Sequence, residues 1–71
     1  MSEIKYTIEK HLADLSTSDS GWTKELNLIS WGGRPPVYDI RSWSPDHEQM
    51  GKGITLTYDE LLKVVEEAAK L

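Results

Sequence analysis

The sequence predicts an α+β fold, an antiparallel sheet of four strands followed by one C-terminal helix in the order ββββα. Three observations carry this. Apolar–polar alternation with β-forming residues recurs along most of the chain, Gly, Pro and Ser clusters separate the runs, and the one clear helical period falls at the end. Strands first and a helix last place the helix on one face of the sheet and leave the other face to water or a ligand.

The first strand is predicted over about 3–15, where Ile4, Tyr6 and Ile8 alternate with polar residues. The apolar phase then shifts to Ala13 and Leu15, which a bulge near Lys10 to Leu12 explains. Residues 16–21, STSDSG, read as a turn. The second strand, 22–31, places Leu26 and Leu28 in one register and Ile29 and Trp31 in the other, which predicts a twist or bulge; a short helix competes with it. GGRPP, 32–36, is a loop, because Pro35 and Pro36 cannot donate to a ladder.

VYDIRSW, 37–43, is the plainest strand, with Val37, Asp39, Arg41 and Trp43 on one face and Tyr38, Ile40 and Ser42 on the other. Tyr38 and Ile40 are expected to point inward, which leaves Trp43 on a polar outer face with Asp39 and Arg41. After the loop SPDHEQMGKG, Ile54 and Leu56 mark a last strand over about 52–56. The helix, about 58–70, has capping-box spacing between Thr57 and Glu60, and Asp59 and Glu60 suit its positive end. Its stripe of Leu61, Val64, Val65 and Ala68 is widened by Leu62, Ala69 and Leu71. One small sheet needs only about 100° of apolar face, so the extra width suits either its own sheet or a partner subunit.

Residues 1–71 read as a single domain. A chain this short buries only about 60% of its unfolded surface, and with no cysteine neither disulfides nor thiolate metal sites can stabilise it. A homo-oligomer is the remaining means. No apolar run approaches the ~20 residues of a membrane helix and the N-terminus lacks a signal-peptide core, so a cytoplasmic protein is expected. The net charge of −4 counts mildly against nucleic acid, but it is uneven. Residues 22–56 are neutral, with Lys24, Arg34, Arg41 and Lys52 against Glu25, Asp39, Asp46 and Glu48. A local cationic groove is compatible with an acidic molecule, because screening limits exposed charges to about 8–10 Å.

Asp46-His47-Glu48 offers a base, a ligand and an acid in a row, yet adjacency rarely makes a catalytic arrangement and no GxSxG elbow accompanies Ser42 or Ser44. A polar loop in which Asp46 caps backbone amides is the stronger reading, and no enzyme is expected. Only His11 could join His47 as a histidine ligand, without HxH or HxxxH spacing, so neither metal nor cofactor is expected. Gly51-Lys52-Gly53 fails the Walker pattern; a plain turn competes with close backbone approach beside a cationic Lys52. The three tryptophans and three tyrosines are more telling. Trp43 beside Arg41, and Trp31 beside Arg34, interleave rings with cations as single-stranded nucleic acid requires. Core filling competes at each ring, most at Trp22 and least at Trp43.

W-x-K-E-L-N-x-x-S-W, Trp22 to Trp31, followed by Y-D-I-R-x-W-S-P-D-H-x-x-M-G-K-G-I-T-L, Tyr38 to Leu56, resembles the YdbC family of small bacterial proteins, related to the transcriptional coactivator Positive Cofactor Four. The resemblance spans nearly the whole chain; against the broader coactivator family D-I-R, Gly-Lys-Gly-Ile and the closing helix match closely, and the loop between them differs. It implies a homodimer of curved sheets with the helix at the interface. It implies non-catalytic binding of single-stranded DNA with little sequence preference, in transcription, replication or repair and associated with the nucleoid. RNA, or duplex DNA with melted stretches, is an alternative ligand, and no small-molecule substrate or membrane is implied. Arg41 and Lys52 would face phosphates, Trp31 and Trp43 would stack on bases, Lys24 would add a cation, and Arg34 sits in a loop the motif does not fix. The competing class is a protein-interaction module, in which the acidic helix and exposed tryptophans dock a partner such as a polymerase.

Overall fold

In the computed structural model residues 5–71 are described. They form β1 (Tyr6–Thr17), β2 (Thr23–Trp31), β3 (Val37–Trp43), β4 (Met50–Leu56) and α1 (Tyr58–Ala68). The strands make one open antiparallel sheet in the order β1-β2-β3-β4, the architecture the sequence predicts. The predicted start of the first strand, at residues 3 and 4, lies outside the described residues. Within them β1 continues to Thr17, and β4 begins at Met50, earlier than predicted.

The phase shift in β1 is resolved by three bulges. Register breaks between Ile8 and Lys10, His11 and Ala13, and Asp14 and Ser16 leave Glu9, Leu12 and Leu15 without a partner on β2. Each extra residue increases the local twist, and it turns Leu12 and Leu15 out to solvent. The bulge predicted within β2 is absent from its ladder to β3, which runs unbroken from Thr23 to Ile29. The apolar residues of β2 simply divide between the faces. Leu26 and Leu28 stand opposite Ile40 and Tyr38, whereas Ile29 stands opposite Val37 and Ile8.

The face of β3 expected to be polar and outward holds the core. Trp43 and Ile29 are fully buried there, together with Asn27 and Asp39, and Glu25 is nearly so. Tyr38 and Ile40, expected inward, are only half-buried. The physical reason lies in what folds over that face. Tyr6 from β1 leans on the rings of both Trp31 and Trp43, and the loop after β3 lays His47 on Trp43. The polar residues beneath bond to one another, which removes most of the penalty for burying them.

Glycine permits two tight features. Gly32 and Gly33 both adopt positive φ, 56° and 77°, and Arg34 N–H donates to the Trp31 carbonyl at 3.0 Å, the mirror-image turn that suits a twisted hairpin. Gly53 stands opposite Arg41, where a Cβ would overlap the Arg41 Cβ and the Ile40 carbonyl oxygen. The close backbone approach is thus real, and it is between strands.

The predicted capping box begins α1: Glu60 N–H donates to Thr57 Oγ1 at 3.1 Å, and Thr57 N–H to Glu60 Oε1 at 2.8 Å. The helix touches β3 and β4 near its start, with Tyr58 against Tyr38 at 6.0 Å between centroids and Leu61 half-buried. It buries none of its residues completely, and Leu62, Val64, Val65 and Leu71 are exposed. The stripe is therefore not consumed by its own sheet. Among the described residues no helix is long and apolar enough to cross a membrane.

Candidate nucleic-acid interface

The period-2 geometry of β3 puts Asp39 and Arg41 side by side on the inner face, and they form a fork-to-fork pair. Arg41 Nε donates to Asp39 Oδ1 and Arg41 NH2 to Asp39 Oδ2, both at 2.7 Å. The third guanidinium nitrogen reaches the Gly51 carbonyl at 3.4 Å and the Met50 sulfur at 3.6 Å, both on β4. So held, the guanidinium lies over Trp31, its carbon 4.8 Å from the ring centroid, within cation–π range. Beside them opens a cleft of about 400 Å³ lined by Trp31, Arg34, Pro35, Val37, Arg41, Met50 and Thr55. The GGRPP turn forms one wall, and Ser30 Oγ stiffens it by donating to the Arg34 carbonyl at 2.6 Å.

A second polar network lies on the same face, where Asn27 and Glu25 stand opposite Asp39 and Arg41. Asn27 Nδ2 donates to Glu25 Oε1 at 3.1 Å, which turns its Oδ1 toward His11 Nδ1 at 2.6 Å. His47 Nε2 reaches both Glu25 oxygens at 3.1 Å. His11 has oxygen acceptors at both ring nitrogens, Asn27 Oδ1 and, at 3.0 Å, Asp14 Oδ1. The bond to Asn27, then the charges of Asp14 and Glu25, outweigh partial burial and raise its pKa above the ordinary histidine value. His11, Asp14 and Glu25 together have the composition of a metal site. One ligand atom of each lies within 4.8 Å of the others, but the His11 nitrogens already face Asn27 and Asp14 oxygens, and His11 and Asp14 are exposed.

Asp46 does what the polar-loop reading predicts. Ser44 Oγ donates to its carboxylate at 2.6 Å and Glu48 N–H at 3.0 Å, and these bonds, Ser44 first, hold its pKa below the usual carboxylate value. The turn they stabilise carries His47 at a φ of 64°, in the left-handed region that histidine tolerates better than most residues.

The predicted residues are thus only partly brought together. Trp31, Arg34 and Arg41 share the first cleft. Lys24 stands opposite Ser42 on the other face of the sheet, in a second cleft with Trp22 and Ser16, Thr17, Ser18 and Ser20. Lys52 is exposed in β4, where Gly51 and Lys52 together oppose Ser42 at the register break. Trp43, expected outermost of the three tryptophans, is the most buried, enclosed by Tyr6 and His47; a base reaches its ring only by displacing them. Sequence reasoning missed Tyr6, Met50 and, above all, Asp39 as the partner of Arg41. The i, i+2 spacing of opposite charges on one strand face was the available signal.

An open antiparallel sheet with a cation-bearing aromatic cleft and a trailing amphipathic helix defines a class of small binding domains. The family model described as Transcriptional Coactivator p15 (PC4) matches residues 18–67, from the turn after β1 into α1. A Treponema pallidum (strain Nichols) protein described as uncharacterized is 52% identical over 60 residues, covering 84% of this chain and 71% of that protein. The chain belongs to the PC4 coactivator family, a family of nucleic-acid-binding, cofactor-type domains and not of enzymes.

Proposed function

We propose that this protein binds single-stranded DNA with little sequence preference, as a homodimer acting as a cofactor in transcription, replication or repair. The observation that carries the reading is the cleft where Trp31, Arg34 and Arg41 meet on an open sheet. A base can stack on an aromatic platform of any sequence context, for about 1–3 kcal/mol each, while exposed cations follow the phosphates. Lys24, Arg34 and Lys52 are exposed, and among the described residues none has a carboxylate within 4.0 Å; Lys63 and Lys70 are paired with Glu66 and Glu67 on the helix. Trp31 takes the stacking role here, while Trp43, which shares the Tyr6 ring with it, stays packed in the core. The exposed apolar stripe of α1, with Ile54 beside it in sequence on β4, supports a second copy as the cover of the helix.

Fluorescence titration with oligo-dT, duplex DNA and RNA at several salt concentrations tests the reading. Tight quenching by oligo-dT is expected, with log K falling against log salt at about −0.7 per phosphate neutralised. The acidic helix, with Asp59, Glu60, Glu66 and Glu67, favours the competing protein-docking reading. That reading is selected if no oligonucleotide binds even at low salt.

A further inference from the structure

We infer that Arg41 does not count among the phosphate-neutralising cations: Asp39, as a positioning residue, takes up its charge and fixes its guanidinium as part of the stacking platform. The inference rests on the proposed binding of single-stranded DNA and assigns the roles within that site.

Three observations converge on it. Asp39 is fully buried and meets Arg41 through both carboxylate oxygens at 2.7 Å, so the pair is electrically neutral at short range. The Arg41 side chain retains only 15% of its exposure, and all three guanidinium nitrogens already donate within the protein. The same face carries a second buried carboxylate, Glu25, directly opposite Arg41 in the ladder. A phosphate brought to Arg41 would have to compete with a carboxylate that already holds its guanidinium.

What the arrangement does offer is a flat surface. A bidentate carboxylate fixes the guanidinium in one plane, and its central carbon stands 4.8 Å from the Trp31 ring centroid. Arg41 and Trp31 then form one wall of the 400 Å³ cleft, to which a base presents its face. The phosphates are left to cations outside the pair, Arg34 at the cleft and Lys52 on β4, both exposed.

Affinity and salt dependence separate the two roles. Binding of fluorescently labelled oligo-dT is measured by anisotropy from low to moderate salt for the wild type, Lys52→Ala, Arg41→Gln, Arg41→Lys and Asp39→Asn. Lys52→Ala should flatten the slope by about 0.7. Arg41→Gln should weaken binding several-fold at an unchanged slope. Arg41→Lys should weaken it as much, because an ammonium keeps the charge but has no plane to stack. Asp39→Asn should steepen the slope by about 0.7, since the guanidinium charge is then unanswered; this change runs opposite to any loss from imperfect folding. An Arg41→Gln slope flattened like that of Lys52→Ala and restored by lysine overturns the assignment, as does unchanged affinity in both Arg41 variants. A wild type that binds no oligonucleotide instead overturns the proposed function itself.

Discussion

The imidazole of His47 lies flat on the indole of Trp43, with centroids 4.3 Å apart and ring planes 1° from parallel. The same imidazole closes over Glu25 through Nε2. One loop side chain therefore caps both halves of the inner face, its aromatic part and its buried carboxylate. The loop can present it because Ser44 and Asp46 tie the turn together and because His47 adopts a left-handed backbone conformation.

His47→Ala should lower unfolding free energy by about 1–3 kcal/mol, the usual cost of leaving a buried polar group short of a partner. It should also shift tryptophan emission to the red as Trp43 gains water. Urea denaturation followed by fluorescence measures both. A wild-type midpoint and spectrum would show that the loop merely rests on the sheet. The variant also tests the placement of Trp43: if its ring does stack on bases once uncovered, quenching by oligo-dT will increase.

The contrast between Trp43 and the helix shows which parts of the fold are legible in a single sequence. The capping box and the β3 alternation depend on neighbours within a few residues, so Thr57, Glu60 and the register of residues 37–43 could be read directly. Which side of β3 is inside could not, because Asp39 and Arg41 look polar when considered singly. They become core residues by neutralising each other, and the cover comes from Tyr6 and His47 at distant points in the chain. The same blindness to long-range pairing let Lys24 and Arg41 be grouped as one site, although strand alternation sets them on opposite faces. The cleft itself was half legible: Trp31 and Arg34 flank one turn, but Met50 and Thr55 join only through β4.

The two glycines of β4 should respond differently to alanine. At Gly53 a Cβ would overlap Arg41 and the Ile40 carbonyl, so β4 must move away from β3. Overpacking of this kind costs about 1–3 kcal/mol, and it would also disturb the Arg41 fork. At Gly51 the nearest atom is Ser42 Cβ at 3.6 Å, an ordinary contact. Thermal denaturation should place Gly53→Ala well below the wild type and leave Gly51→Ala near it. Equal melting temperatures for the two variants would contradict the close strand approach.

His11 gives the inner face a pH dependence of defined sign. Because its two nitrogens face Asn27 and Asp14 oxygens, the folded protein favours the imidazolium and the folded pKa is raised. The contribution to stability is then complete below the unfolded value of about 6.5 and is lost as pH rises through the raised folded value. Melting temperature should decline across that interval, and His11→Gln should remove this part of the decline. The side chain is about half exposed, at 49%, so the effect is screened and small. The direct check is a titration of the His11 ring protons by NMR, in which a midpoint below 6.5 would contradict the acceptor geometry.

The exposed flank of α1 predicts the behaviour of the assembled protein. Val64 and Val65 are 52% and 57% exposed on a helix that leaves its apolar stripe largely uncovered. If a second copy covers that stripe, Val65→Glu places a carboxylate in the interface, and desolvating an unpaired charge opposes association strongly. Sedimentation equilibrium should report a dimer for the wild type and a monomer for Val65→Glu at the same concentration. Because the stripe contributes little to the fold within one protomer, the sheet should persist in the variant by circular dichroism. Affinity for oligo-dT should fall when dimerisation is lost, since two linked sites bind one strand with the advantage of effective concentration. A monomeric wild type would remove the dimer from the proposal and leave the apolar helix face as a docking surface for a different protein.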